Sequence, residues 1–409
     1  MVKPLINISR KQALIYAAFL VFYEFLTYIA NDMIMPGMIR VVSSFHAPES
    51  YVANSLTAYI LGGASLQIFL GPISDRHGRR PVMLFGVVLF FFCTLAIALS
   101  QSIEQFIIAR FFQGMGLCFI GVIGYATLQE IFAEVDAVKL IAIMANVSIL
   151  APLVGPLLGS IVIHLFSWRW IFVGIAVLTI FSLIGLFRYM PESVGKKTTD
   201  GRVIPRVPLE PRIVLNNYRQ LFSSRLFVMG SIAQSIIAIP CLCWIGLSPI
   251  MLILQEKLTI LQYGLWQIPV FSASIIGNWA LALLSGRVSM KVILFIGSIT
   301  AIAGLLLMLV LTVCINASFI WLMPGLILYF FALGMSLAPL ERKVLFATPV
   351  AKGTASALMT LILMILIAVG IEGGNRFYAD HNNVYFAAYC ALMAVLYGIA
   401  LLLTGIHKK

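Results

Sequence analysis

Two acids, Glu24 and Asp32, stand in the first long apolar stretch of the chain, which runs from Ala13 to Ala30 and a little beyond. A charged side chain at the centre of a membrane helix costs on the order of 2.5–3.5 kcal/mol, so an acid placed there with no basic neighbour in sequence is first read as functional. On a helix rising 1.5 Å per residue, the two carboxyl groups would lie about 12 Å apart along the axis and roughly 80° apart around it. Both can then line one cavity. The chemistry open to such a pair is to hold a cation when ionised and to take up protons when the cation leaves. Glu24, set among Phe25, Leu26 and Tyr28, is placed to exchange a proton near neutrality.

A third charge belongs to the same problem. Arg110 opens the segment Arg110-Phe111-Phe112-Gln113-Gly114-Met115-Gly116. A guanidinium does not shed its proton, so inside a membrane it needs carboxylates or backbone carbonyls as partners. It is expected to act on an acid of the first span or to lock that span's backbone, with snorkelling to the interface as the alternative. Tyr28, Asn31 and Gln113 supply polar groups beside these charges, and Met38, Tyr125, Met144, Trp244 and Met359 could furnish a soft, adaptable pocket.

The elements that must position these residues follow from composition. The 409 residues are 61% hydrophobic and only 10% charged, too little polar surface for soluble domains. Segments of about 20 apolar residues, each long enough to cross a hydrocarbon core as a helix, recur along the chain. Twelve are expected, near 12–34, 50–71, 81–100, 103–128, 138–163, 169–189, 225–252, 260–285, 291–313, 317–340, 353–376 and 384–405. The fold class is an all-α integral membrane protein.

The net charge of +12 does not point to nucleic acid, because the basic residues gather in alternate loops. Arg10 and Lys11, then Arg76, Arg79 and Arg80, the 190–224 stretch, Arg287, Arg342, Lys343, Lys408 and Lys409 share one side, while the other offers chiefly Arg40, Arg169, Lys257 and Arg376. By the positive-inside rule the first side is cytoplasmic, and both termini lie there. Six scattered cysteines sit within or at the edge of expected spans and are read as small apolar residues without a metal or disulfide role. A membrane enzyme or receptor would need a clustered nucleophile, a ligand set or a signalling domain, and a nucleotide-driven pump would need a phosphate-binding loop. No sequence signature supports any of these.

The one long polar stretch divides the chain into 1–190, a linker at 191–224, and 225–409. Within the linker, Pro205, Pro208 and Pro211 oppose a helix, whereas Ile213 to Phe222 could form a short amphipathic one on the membrane surface. Six spans on either side suggest an internal duplication: Arg80 to Gly86 aligns with Lys291 to Gly297, placing Arg76 on Arg287 and Gly78 on Ser289. Two such repeats around a midplane site are a transporter plan.

The loop Gly71-Pro72-Ile73-Ser74-Asp75-Arg76-His77-Gly78-Arg79-Arg80 resembles the loop motif of the major facilitator superfamily. Gly71 is expected to allow close helix approach, Gly78 to permit the tight turn, and Asp75 to face a helix terminus or arginines of a neighbouring span, the whole acting as a gating latch with Arg76, Arg79 and Arg80. Arg110-x-x-Gln113-Gly114 resembles a motif of proton-coupled members. Gly155, Pro156 and Gly159 resemble in part the antiporter motif of the fifth span, with Ala142, Ala151 and Ser160 where that family has glycine. The substitutes are small, so close packing and a proline kink are retained.

Tyr23 to Met38, together with these motifs, is similar to the MdfA-type multidrug/proton antiporters of that superfamily, along nearly the whole chain. The resemblance implies the major facilitator fold, with twelve helices in two six-helix pseudo-repeats. It further implies proton-driven efflux of lipophilic, often cationic, drugs from a bacterial inner membrane, with Glu24 and Asp32 binding proton and drug. No cofactor is expected beyond protons as the coupling ion, no nucleic acid is a partner, and the protein is expected to act as a monomer in the lipid bilayer. The alternative is a proton-coupled carrier for a single metabolite, nutrient or siderophore.

Overall fold

Ser9 starts the first long helix by accepting a hydrogen bond from the Gln12 backbone, and from there the chain is built almost wholly of helices. The computed structural model describes residues 4–132, 134–199, 203–204, 211–285, 287–348, 350 and 352–405. Its first ten helices are α1 (Arg10–Asp32), α2 (Met38–Ser44), α3 (Tyr51–Ser65), α4 (Gln67–His77), α5 (Arg79–Ala98), α6 (Ile103–Gly114), α7 (Gly116–Cys118), α8 (Tyr125–Ile131), α9 (Glu134–Leu165) and α10 (Arg169–Tyr189). The remainder are α11 (Pro211–Ser223), α12 (Arg225–Pro249), α13 (Ile260–Leu284), α14 (Met290–Cys314), α15 (Met323–Leu345), α16 (Lys352–Phe377) and α17 (Asn383–Leu403). Among the described residues there are isolated β-bridges, such as Ile6 with Thr198, but no strand.

Among the described residues, ten helical stretches are long and apolar enough to cross a membrane, and eleven if α3 and α4, bent by 42° at Leu66, count as one. The expected second span, 50–71, thus runs on to His77 through that bend. The fifth expected span falls on α9, a 32-residue helix whose apolar part is Leu150–Leu165. The first crossing also extends past its expected end, because Pro36 interrupts α1 with a 3₁₀ turn at Met35–Gly37 and α2 carries the span to Ser44. The fourth is broken at α7 and rewound as a π-helix over Phe119–Gly124, a feature that often marks functional helices.

Spans that cross closely do so at glycine. A Cβ on Gly62 would run into the Phe111 carbonyl oxygen, and one on Gly114 into that of Tyr59, so α3 and α6 meet backbone to backbone. Large apolar side chains face outward on the spans, among them Trp279 at 69% and Leu283 at 70% exposure. Such surface suits lipid rather than water.

The stretch read as a linker contains α11, which begins at Pro211 where proline is tolerated in a first turn. Pro205, Pro208, Arg202 and Arg206, like Lys408 and Lys409, lie outside the described residues. The aligned pair Gly78 and Ser289 occupies equivalent places: each is the N-cap of the helix that follows, α5 and α14 respectively. At the end opposite the 71–80 loop, polar groups tie the N-terminal helices to the C-terminal ones. His381 lies 3.4 Å from Glu49, and Asn375 donates to the Ser50 carbonyl at 3.4 Å. The Asn54 amide, oriented by its surroundings, donates to Glu372 Oε2 at 3.2 Å.

Candidate functional site

Helix α1 holds both acids in the interior: Glu24 is 1% exposed and Asp32 4%. Their surroundings differ. Glu24 Oε1 accepts from the Tyr125 hydroxyl at 2.9 Å, while its Oε2 has no hydrogen-bond partner. Asp32 Oδ1 accepts from the Asn31 side-chain amide at 3.1 Å. Neither acid forms an ion pair with a basic side chain among the described residues.

Arg110 is fully buried rather than directed to the interface. Its guanidinium spreads over α1 and its own helix. Nη2 donates to Asn31 Oδ1 at 2.5 Å, Nη1 to Gln113 Oε1 at 2.8 Å and more weakly to the Ala30 carbonyl at 3.5 Å, and Nε to Ser55 Oγ at 3.3 Å. Its face lies 4.5 Å from the centre of the Tyr59 ring, and the Tyr59 hydroxyl in turn donates to the Thr27 carbonyl at 2.6 Å. Gln113 passes the network on to Thr94 at 2.9 Å. Arg110 therefore reaches Asp32 through Asn31 and grips the α1 backbone directly. Tyr28 is half-buried on the same helix.

The antiporter-motif helix packs against the same acid. A Cβ on Gly155 would sit 2.6 Å from the Asp32 Cβ, and one on Gly159 would strike the Met33 carbonyl oxygen. Pro156, with Asp32, Met35, Pro152, Ile245, Tyr263, Gln267 and Phe271, lines a narrow cleft. Four of these come from helices after the linker. Gln267 accepts from Trp244 Nε1 at 2.8 Å and its amide nitrogen is left buried without a partner, while Tyr263 pairs with Ser248 at 3.2 Å. Tyr263, Ile245 and Phe271 were not distinguishable by sequence. Gln267, a polar residue among apolar ones in α13, offered the single signal. Met38, Met144 and Met359 are buried.

The 71–80 loop is built differently from expectation at one position. A Cβ on Gly71 would meet only Val122 Cγ1 at an ordinary 3.7 Å, so no close helix approach depends on that glycine. Gly78 is required, because its φ of 106° is unfavourable to other residues and a Cβ there would collide with the Glu192 carboxylate. Asp75 pairs with Arg79 at 2.5 Å across that turn. Arg79 also donates to Glu130 at 2.9 Å and to Ser74 at 2.5 Å, and Ser193 donates to Glu130 at 2.5 Å.

Glu192 accepts the backbone N–H groups of Arg79 and Arg80 at 2.9 and 3.1 Å, capping the start of α5 where a negative charge is favoured. Arg76 remains exposed, and Arg80 donates to the Phe187 carbonyl. Glu130 and Glu192, both acids at span ends on the basic side, complete a network that the motif alone did not reveal.

The site thus combines buried acids on a spanning helix, a buried arginine bound to that helix, and a charged clasp at one end. The model of the Major Facilitator Superfamily matches residues 20–371. A protein named Multidrug transporter MdfA from Yersinia pestis bv. Antiqua (strain Angola) is 46% identical over 399 residues, covering 98% of this chain and 95% of that one. One of the same name from Escherichia coli O6:H1 is 43% identical over 396 residues, with 94% of each covered. The xylose transporter XylE from E. coli, in a partially occluded inward-open conformation, shares the fold with a TM-score of 0.73 at 17% identity, covering 96% of this chain and 97% of that one. On fold, motifs and near-full-length kinship, the chain belongs to the major facilitator superfamily, a family of membrane transporters and not of enzymes.

Proposed function

We propose that this protein exports lipophilic, often cationic, drugs in exchange for protons. The name borne by relatives at 41–46% identity supports the substrate class. The observation that carries the coupling is the state of the two acids: both are buried on α1 without a basic ion-pair partner among the described residues, and there Glu24 Oε2 is unpaired. A lipophilic cation or a proton could satisfy each, and neither acid could hold both at once. Competition for shared charge is then the coupling, with no covalent step and no cofactor.

In this reading, residues 1–190 and 225–409 form the two six-helix halves and 191–224 the linker. Glu24 and Asp32 bind proton and substrate, assisted by Tyr28 and Asn31, while Arg110 and Gln113 fix α1. The narrow cleft under Asp32, with Tyr263, Gln267 and Phe271 from the second half, forms the far wall of the pocket. Gly71, Asp75, Arg76, Gly78, Arg79 and Arg80 belong to the gating loop on the cytoplasmic side of a bacterial inner membrane, to which the basic loops assign both termini. The Glu49, Ser50 and Asn54 contacts with His381, Asn375 and Glu372 lie on the outer side and must part for release. The protein works as a monomer in the bilayer and does not engage nucleic acid.

The test is proton release from detergent-solubilised protein on addition of tetraphenylphosphonium near neutral pH, with the Glu24→Gln/Asp32→Asn double variant as control. Saturable release that the double variant lacks is expected. Binding without release would move the coupling away from these acids, and neither binding nor release would favour a carrier for a single substrate.

A further inference from the structure

Between α5 and α10, at the end that bears the 71–80 loop, a lateral groove of about 520 Å³ is lined entirely by Leu84, Phe85, Val88, Leu183, Ile184 and Phe187. It is open to the side: Phe85, Ile184 and Phe187 are 62%, 61% and 63% exposed. One end carries positive charge. Arg80 lies one helical turn before Leu84, donates to the Phe187 carbonyl at 2.5 Å, and places its guanidinium carbon 5.5 Å from the Phe187 ring centre. Its Nε is buried and has no hydrogen-bond partner. Arg188, the next residue after Phe187, is exposed but turns to the Tyr189 ring, 6.0 Å away, so Arg80 supplies the charge at this end.

A buried charged donor left unpaired among the described residues is uncommon and needs an explanation. The carboxylate that meets the Arg80 backbone does not fill the role. Glu192 already accepts the backbone N–H groups of Arg79, Arg80, Ser193 and Val194.

We propose that this groove binds an anionic phospholipid, with the phosphate on Arg80 and an acyl chain running along Leu84 and Val88 on one side and Phe187, Ile184 and Leu183 on the other. The chemistry matches the ligand, since charge at one end gives way to apolar surface along the groove. Charge decides among occupants. The Arg80 guanidinium repels the cationic substrates proposed above, whereas arginine meets a phosphate through paired, charge-assisted hydrogen bonds. Basic pockets between spans are suited to anionic headgroups. The proposal is independent of the efflux reading.

The experiment is native mass spectrometry of the purified, delipidated full-length protein, offered phosphatidylglycerol or phosphatidylcholine with identical chains. Phosphatidylglycerol should be retained in preference, and Arg80→Gln should reduce its retention by about tenfold or more, the loss expected when a hydrogen bond to a charged group is removed. Val88→Trp, which fills the groove without altering charge, should lower retention as well, and it decides the matter if Arg80→Gln fails to fold. Equal retention of the two lipids, or retention indifferent to both variants, would overturn the proposal. Inorganic phosphate should leave the bound lipid in place, and displacement by phosphate alone would also overturn it.

Discussion

Gly155 of α9 lies directly against Asp32 of α1: a methyl group added at the glycine would come within 2.6 Å of the acid's Cβ. A motif that resembles an antiporter signature is therefore in physical contact with one of the two intramembrane acids. The small residue lets α9 pass close enough to shield that acid from solvent.

Gly155→Val should push α1 away at Asp32 and Met33, since overpacking a tight crossing costs about 1–3 kcal/mol. Tetraphenylphosphonium affinity, read by equilibrium binding, should drop about tenfold or more in protein that still purifies as a folded species. Unchanged affinity would mean that the close contact does not shape the site.

Tyr125→Phe deletes the one hydrogen bond that the Glu24 carboxyl group makes among the described residues. A bond to a charged group contributes about 1.5–3 kcal/mol, so cation affinity should change by roughly 10- to 100-fold while α8 keeps its packing. Isothermal titration with a monovalent lipophilic cation measures this, and a change below twofold would show the hydroxyl to be incidental.

Arg110→Lys should abolish transport even though the charge is kept. A single ammonium cannot reach Asn31, Gln113, Ser55 and the Ala30 carbonyl together, nor stack on Tyr59 as the planar fork does. Transport by the lysine variant at more than about half the original rate would contradict the assignment of Arg110 as the clamp on α1.

Asp75→Asn weakens the clasp that joins Asp75, Arg79 and Glu130 without touching the acids of α1. Turnover in proteoliposomes should fall severalfold while tetraphenylphosphonium affinity stays within about twofold. Glu130→Gln, which removes the other acid from Arg79, should behave alike, and a large loss of affinity in either would place the clasp in binding rather than gating.

Glu24→Gln should impair export of cations more than that of neutral compounds, because only a cation needs the counter-charge. Parallel transport assays with one substrate of each kind decide it, and equal losses would argue against Glu24 as the charge partner.

Much of this was legible in the chain itself. The cost of charge in an apolar stretch singles out Glu24, Asp32 and Arg110 without any structure, and local turn chemistry correctly reserves Gly78 for a conformation that other residues avoid. Apolar segment length likewise announces the spans, and the amphipathic run after the linker prolines becomes α11. Helix breaks were harder to read. The bend at Leu66 and the π-helix over Phe119–Gly124 contain no proline, and only glycines, Gly62-Gly63 before the one and Gly121 within the other, hint at them.

Partnership was decided only in three dimensions. Arg110 binds Asn31 rather than Asp32 directly, Glu24 finds Tyr125 from a helix some hundred positions away, and Gln267 and Tyr263 arrive from beyond the linker to face Asp32. Gly71, expected to admit a close neighbour, has room for a methyl group, whereas Gly155 has none. The reason is physical. Desolvation cost, turn geometry and helical periodicity act within a few residues and can be read from order alone, but a hydrogen-bond partner or a steric limit depends on how separate helices are rotated and spaced against one another, and that is set by packing of the whole bundle.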